Sequence, residues 1–226
     1  FSGSGSDWAG SPFVEGDLVL VNGGNNGVAA ISKTTRSVVW GASGNGGRYS
    51  SPFATTIAGE RVVIGYDKFI SGFDPATGTV LWSLQWFHGG VPDTSIAQGL
   101  IIDSNKVFAA QGYGQGCTMA NMGTGTLTKV WQNTELATKE NSPVHYKGYV
   151  YGVDENSASL KCIDPLTGTK KWASTDSGKS FFAESAVLSA GDQIIVISGK
   201  AAPYDSVNNG NLVVVQANST AYTELY

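Results

Sequence analysis

The sequence predicts an all-β protein assembled from tandem copies of one four-stranded antiparallel unit. Three observations predict it. A tryptophan returns at intervals of 42, 49 and 41 residues, at Trp40, Trp82, Trp131 and Trp172. The composition suits tight turns, with 30 glycines and only 14% charged residues, against roughly 25% charged in an average soluble protein. No stretch of about ten residues keeps a helical period, whereas apolar runs of strand length recur between Gly- and Asn-containing turns.

The tryptophans close similar segments. Phe73-Asp-Pro-Ala-Thr-Gly-Thr-Val-Leu-Trp82 and Ile163-Asp-Pro-Leu-Thr-Gly-Thr-Lys-Lys-Trp172 match almost throughout, and Ile31–Trp40 keeps the spacing with Ser32 for Asp and no glycine. Met119–Trp131 is looser, with Asn121 ten residues before its Trp, and reads as a turn lengthened by two. A second marker opens each unit: Ser11-Pro-Phe, Ser51-Pro-Phe, Ser95-Ile-Ala, Ser142-Pro-Val and Ser185-Ala-Val. The fifth unit ends in Tyr-Thr-Glu-Leu-Tyr226 without a tryptophan. Inside the second copy four strands are expected, at Ser51–Thr56, Arg61–Gly65, Phe69–Phe73 and Val80–Leu84. Four strands per period of about 40–45 residues is the pattern of a β-propeller blade. Five blades are visible, at about 8–42, 48–86, 92–133, 139–174 and 181–226, in a single propeller domain over 1–226.

The repeated segment has a mechanical reading. Proline presets φ at the first corner of the turn, Gly78 or Gly168 takes a left-handed position, and Asp74 or Asp164 accepts backbone N–H bonds across it. An indole returning once per unit packs most simply between neighbouring sheets. Recurrence at every blade favours architecture over ligand stacking.

Composition narrows the function. The net charge is −4 and the 14 basic residues are scattered, which excludes a basic nucleic-acid stripe. No apolar run approaches the roughly 20 residues of a membrane span. The Gly/Ser stretch at Phe1–Ser6 reads as the start of a processed or trimmed chain. Cys117 and Cys162 fall on third strands of neighbouring units. An extracellular disulfide stays open there, but two buried thiols are favoured, since equivalent strands of adjacent blades lie too far apart for a bridge.

These residues resemble the pyrroloquinoline-quinone-type repeat, whose blades close on an Asp-x-x-Thr-Gly-x-x-x-Trp-like stretch. Segments such as Gly112–Cys117 and Ser142–Gly152 look like its cofactor-free, secreted or periplasmic members, the outer-membrane-assembly lipoprotein among them. The resemblance implies seven or eight blades. Five visible repeats leave two readings, a part of a larger propeller or a small closed ring, and a truncated or partner-completed propeller is favoured.

It also raises the quinone-dependent dehydrogenases, which the residues do not support. No vicinal cysteines and no converging oxygen ligands for calcium stand out. His88 and His145 lack metal-ligand spacing, and Gly112-x-Gly-x-Gly116 leads into no helix. No cofactor, metal or catalytic residue is assigned, and the reading leans away from an enzyme.

The expected role is a non-catalytic, extracytoplasmic module for protein–protein interaction or self-assembly. A quinoprotein-like or other propeller enzyme and a carbohydrate- or small-molecule-binding propeller are the alternatives. The candidate partner face consists of the blade-to-blade connections carrying Arg48, Tyr49, Trp86, His88, Asp93, Glu140, Phe181 and Phe182, with Lys139 and Lys179 beside them.

Overall fold

The computed structural model describes residues 10–22, 27–41, 49–66, 69–86, 96–199 and 210–226. They form five antiparallel sheets. The first holds β1 (Phe13–Glu15), β2 (Leu18–Asn22), β3 (Val28–Ser32) and β4 (Val38–Gly41). The second holds β5 (Phe53–Ile57), β6 (Glu60–Tyr66), β7 (Phe69–Phe73) and β8 (Val80–Gln85). The third holds β9 (Leu100–Asp103), β10 (Lys106–Gln111), β11 (Gly116–Gly123) and β12 (Thr126–Asn133). The fourth holds β13 (Val144–Tyr146), β14 (Tyr149–Asp154), β15 (Ser159–Ile163) and β16 (Lys170–Ala173), and the fifth β17 (Ala186–Ala190), β18 (Gln193–Ser198) and β19 (Asn211–Gln216). Within every sheet spatial order follows chain order. Among the described residues the only helical turn is a short 3-10 segment, Ser174–Ser177.

The chain divides into two compact units, Phe1–Val107 with Ala120–Val130, and Phe108–Met119 with Trp131–Tyr226. In the first, Leu20, Val28, Ala30 and Trp40 of the first sheet pack with Val63 and Phe73 of the second. In the second, Tyr151, Leu160, Cys162 and Trp172 of the fourth sheet meet Val187, Ile194, Val196, Val213 and Val215 of the fifth. Strand alternation explains both cores, because every second residue points to the same face.

The Asp-Pro-x-Thr-Gly-Thr turns explain how the sheets are joined. Asp74 Oδ1 accepts the N–H groups of Ala76 and Thr77 at 2.9 and 2.8 Å, and Gly78 N–H donates back to the Asp74 carbonyl at 2.8 Å. Asp164 does the same with Leu166 and Gly168. Ser32 Oγ replaces the carboxylate in the first sheet, accepting from Thr34 and Thr35. Arg36 there adopts φ 60°, where Gly78 and Gly168 have 71° and 74°.

Just before each of these turns the register slips by one residue, at Ala30/Ile31, Gly72/Phe73 and Cys162/Ile163. The bulge sets Trp40, Trp82 and Trp172 opposite the small residues Ala30, Gly72 and Cys162. Trp40, Trp131 and Trp172 each reach the next turn. Trp40 Nε1 donates to the Pro75 carbonyl at 2.8 Å and Trp131 Nε1 to that of Pro165 at 2.9 Å. A Cβ built on Gly78 would stand 2.5 Å from Trp40 Cε3, and one on Gly168 2.9 Å from Trp131 Cε3. The glycine therefore serves both a left-handed backbone and an indole lying flat on it.

One sequence expectation is corrected. The third copy has no lengthened turn: β11 and β12 run for eight residues each and join through the two residues Thr124 and Gly125. The extra length lies in the hairpin strands. The fifth unit, which has no closing tryptophan, carries a turn of the same kind. Asn218 Oδ1 accepts the N–H groups of Thr220 and Ala221, as Asp74 does in its own turn, and the Asn218 carbonyl receives Trp172 Nε1 at 2.9 Å. Thr223–Tyr226 then runs antiparallel along β19 in the fourth-strand place.

Candidate functional site

One described surface that carries both aromatic and charged groups lies around the connection from β12 to β13, residues 134–143, within the second unit. Its backbone is held by a short relay. Ala137 N–H donates to Asp154 Oδ1 at 2.7 Å, and Glu155 N–H donates to the Ala137 carbonyl at 2.9 Å. Gly114 N–H donates to Glu155 Oε1 at 3.2 Å, which ties in the turn between β10 and β11. In that turn Tyr113 and Gly114 take φ 58° and 76°, the conformation of a two-residue hairpin turn.

Beneath the relay Asp154 is fully buried and its carboxylate lies 3.1 Å from Lys161 Nζ. Lys161 also donates to the Glu135 carbonyl at 2.7 Å, and Ser157 donates to Asp154 through both its N–H and its hydroxyl. A buried ion pair of this kind holds because every charge has several partners.

Above it, Tyr113 is 40% exposed and Lys139 Nζ stands 5.7 Å from its ring centroid. Lys139 pairs with Glu184 at 3.1 Å and lies 3.9 Å from Glu140. The bond from Glu184 holds the lysine ammonium above its ordinary range despite some desolvation. Asn141 Nδ2 donates to the Ala183 carbonyl at 2.8 Å, linking this connection to the one before β17.

The sequence candidates distribute unevenly. Glu140 is exposed, and Tyr49 and Phe182 are half-buried. Trp86 and Phe181 are 1% and 3% exposed; burial removes both from any partner face. Phe181 packs edge-on against Tyr222 at 6.4 Å. Arg48, His88 and Asp93 lie outside the described residues. Tyr113, Lys139 and Glu184 meet at one place although about 26 and 45 residues separate Lys139 from the other two; only sheet pairing reveals that proximity.

Cys117 and Cys162 are free and buried. Burial pushes both thiols up to about 12. Among the described residues no group of three or more His, Cys, Asp and Glu is arranged to hold a metal ion, and no helix is long and apolar enough to cross a membrane.

Comparison with solved structures defines the fold as a β-propeller. The chain is similar to BamB from Moraxella catarrhalis, with 16% identity and a TM-score of 0.62 over 95% of this chain and 60% of that one. It is similar to a europium-containing methanol dehydrogenase, with 14% identity and a TM-score of 0.62 over 95% of this chain and 50% of that one. It is also similar to the computationally designed Ika8 protein, with 12% identity and a TM-score of 0.64 over 96% and 60%. The chain thus spans 50–60% of the length of these structures. Among curated proteins, none matches. The family model described as outer membrane protein assembly factor BamB matches residues 3–174, and the chain belongs to that family.

Proposed function

We propose that this chain is a non-catalytic propeller module for protein–protein interaction or assembly, working outside the cytoplasm. The observation that carries the reading is the tethered surface at 134–143. Tyr113, Lys139 and Glu140 stand on loops already fixed by the Ala137–Asp154–Glu155–Gly114 relay. A partner docking there meets ordered side chains, so little conformational entropy is lost on binding. The aromatic ring under a cation, flanked by two carboxylates, offers apolar area with a polar rim, the composition of a protein-binding patch. Phe182 is proposed as a further contributor to this surface, and for Tyr49, Arg48, His88 and Asp93 a part in partner binding is proposed from the sequence alone. The family description supports the setting and the type of role.

The test is capture from a cell-envelope fraction by the immobilised chain, compared with a Tyr113→Ala/Lys139→Glu double variant whose fold is checked by circular dichroism. A protein retained by the first and lost by the second supports the reading. Equal retention by both, or none by either, removes this surface from the interaction.

A further inference from the structure

The turn that recurs in the sheets is rewritten in the fifth. Asp74-Pro75-Ala76 and Asp164-Pro165-Leu166 open it in the second and fourth sheets, and Asn218-Ser219-Thr220 opens it in the fifth. All three residues change. Together the changes give Asn-x-Thr without a central proline, the acceptor pattern of N-linked oligosaccharides. The turns of the first, second and fourth sheets do not fit it. Ser32-Lys33-Thr34 has no side-chain amide, and the other two have a carboxylate followed by proline. No other asparagine of the sequence is followed two residues on by serine or threonine.

The turn also leaves the amide nitrogen open to substitution. Asn218 Oδ1 accepts the N–H groups of Thr220 and Ala221 at 2.8 and 3.1 Å. Trp172 Nε1 donates to the backbone carbonyl of Asn218, not to its side chain. Asn218 Nδ2 makes one long bond, 3.4 Å to the carbonyl of Gln216, itself an exposed residue. An N-substituted amide keeps its carbonyl oxygen as acceptor, so a sugar on Nδ2 leaves the two turn bonds and the indole bond in place. Thr220 and Ala221 are exposed and Asn218 is half-buried. That exposure belongs to the turn itself. Ala76 and Thr77 in the second sheet, and Leu166 and Thr167 in the fourth, are exposed at the same places although an indole of the preceding sheet reaches each turn.

Resting on the extracytoplasmic part of the reading above, we infer that Asn218 is a glycan acceptor, taking an oligosaccharide from a lipid-pyrophosphate-linked donor on the outer side of a membrane. In the transfer Asn218 Nδ2 bonds to the anomeric carbon of the first sugar. The bond from that carbon to the pyrophosphate oxygen breaks, and the lipid pyrophosphate leaves with its electron pair. Nδ2 gives up one of its two protons to a base of the transferase. The product carries a bulky hydrophilic group at an exposed turn. The neighbouring Ala217 N–H donates to the Asp192 carbonyl at 3.0 Å, beyond the end of β17, whereas Glu184 precedes its start. The glycan therefore stands at the opposite end of the fifth sheet from Glu184 and leaves the surface of Tyr113 and Lys139 uncovered.

Translation of the chain with an export signal, in the presence of microsomes that carry the transferase and its donor, tests the inference. The intact mass should rise by one oligosaccharide. Peptide N-glycosidase in heavy-oxygen water should remove it and leave a labelled aspartate at position 218. Thr220→Ser should keep the modification. Asn218→Gln, Thr220→Val and Ser219→Pro, the last restoring the proline of the other turns, should each lose it. The triple variant D164N/P165S/L166T moves the same three residues into the fourth sheet's turn and should gain a second oligosaccharide. A wild type without added mass, or added mass that survives in Asn218→Gln, overturns the inference. The export signal supplies the location, so a modified chain supports the acceptor even where partner capture fails. An unmodified chain that still retains a partner through Tyr113 and Lys139 leaves the interaction reading standing and removes the acceptor alone.

Discussion

Gly78→Ala is the sharpest test of how the sheets are joined. The added Cβ would lie 2.5, 2.6 and 3.0 Å from Cε3, Cδ2 and Cγ of Trp40, where ordinary contact begins near 3.4 Å. The indole has to retreat by most of an ångström, and overpacking of that kind costs about 1–3 kcal/mol. Retreat also lengthens the 2.8 Å bond from Trp40 Nε1 to the Pro75 carbonyl, whose net worth is about 1 kcal/mol. A left-handed alanine adds about 1 kcal/mol. The sum is a loss of about 3–5 kcal/mol. Gly59→Ala supplies the control. Gly59 has φ 87° with nothing within 4 Å of its Cβ position, so it shows only the backbone cost of about 1 kcal/mol. Both glycines and Trp40 belong to the first compact unit, so urea unfolding followed by tryptophan fluorescence reads them on one transition. At Gly168 the closest atom is Asn133 Nδ2, at 2.6 Å. That is the far end of a side chain, so Gly168→Ala should fall between the two. Equal losses for Gly78→Ala and Gly59→Ala would refute the idea that the indole resting on the glycine joins the sheets.

Four further outcomes follow from the same geometry. Arg36→Gly should stabilise the first unit by about 0.5–1 kcal/mol by relieving a left-handed non-glycine residue; an unchanged urea midpoint would contradict this. Asp154→Ala should cost about 3–5 kcal/mol, because it leaves the Lys161 ammonium buried without its carboxylate, and a loss below about 1 kcal/mol would show that Lys161 finds water instead. Cys117 and Cys162, raised to about 12 by burial, should resist a thiol reagent at pH 8 in the native chain and both react in denaturant; fast native labelling would contradict their placement. Five carboxyls are held below their ordinary range: Glu15 by the Arg61 guanidinium, Asp74 by the Thr77 N–H and hydroxyl, Asp103, against the opposing effect of burial, by Lys106 and the Asn105 N–H, Asp192 by Lys147 and Tyr146, and Glu224 by the Tyr222 hydroxyl and Lys179. Their folded values lie below the unfolded ones, so the stability they confer is complete above about pH 5 and is lost as pH falls through about 4 and below; a urea midpoint that stays flat from pH 6 to pH 3 would refute the assignment.

The spacing of the tryptophans made the sheets legible, because an indole every 41–49 residues is too regular for chance and glycine or asparagine turns recur between the strands. The strands read from the second copy differ from β5–β8 by at most two residues at any end. The third and fifth copies were harder for physical reasons. β11 and β12 gain length by adding strand residues, which preserve alternation and so leave no mark in the sequence except a longer interval. The fifth copy carries Asn218 where the others carry Asp or Ser, and Tyr226, eight residues on, pairs with Val214 and not with Gln216, so the eight-residue spacing does not carry an indole's place with it. The candidate face was only partly legible. An aromatic residue in a connecting loop can point in or out, and Trp86 and Phe181 point in. Tyr113, by contrast, lies in a turn that sequence reading treated as a plain reversal, and only sheet pairing sets it under Lys139.

The repeat and the candidate sites answer to different physics. An indole on a glycine, an Asx-type turn and a register slip recur in several sheets, and such devices stabilise a fold shared with both an assembly factor and a methanol dehydrogenase without specifying a function. What distinguishes this chain must then lie where the repeat is broken. The breaks are few and specific: Arg36 for glycine, a fifth unit without a closing tryptophan, the lengthened hairpin of β11 and β12, and the turn at Tyr113. The last of them sits on a surface fixed by buried hydrogen bonds to Asp154. A departure that only weakened packing would leave a glycine or alanine in place of the large side chain. Arg36, Tyr113 and Tyr226 instead set a cation or an aromatic ring at the surface. The irregular positions, more than the regular ones, are therefore where substitutions should separate loss of function from loss of fold.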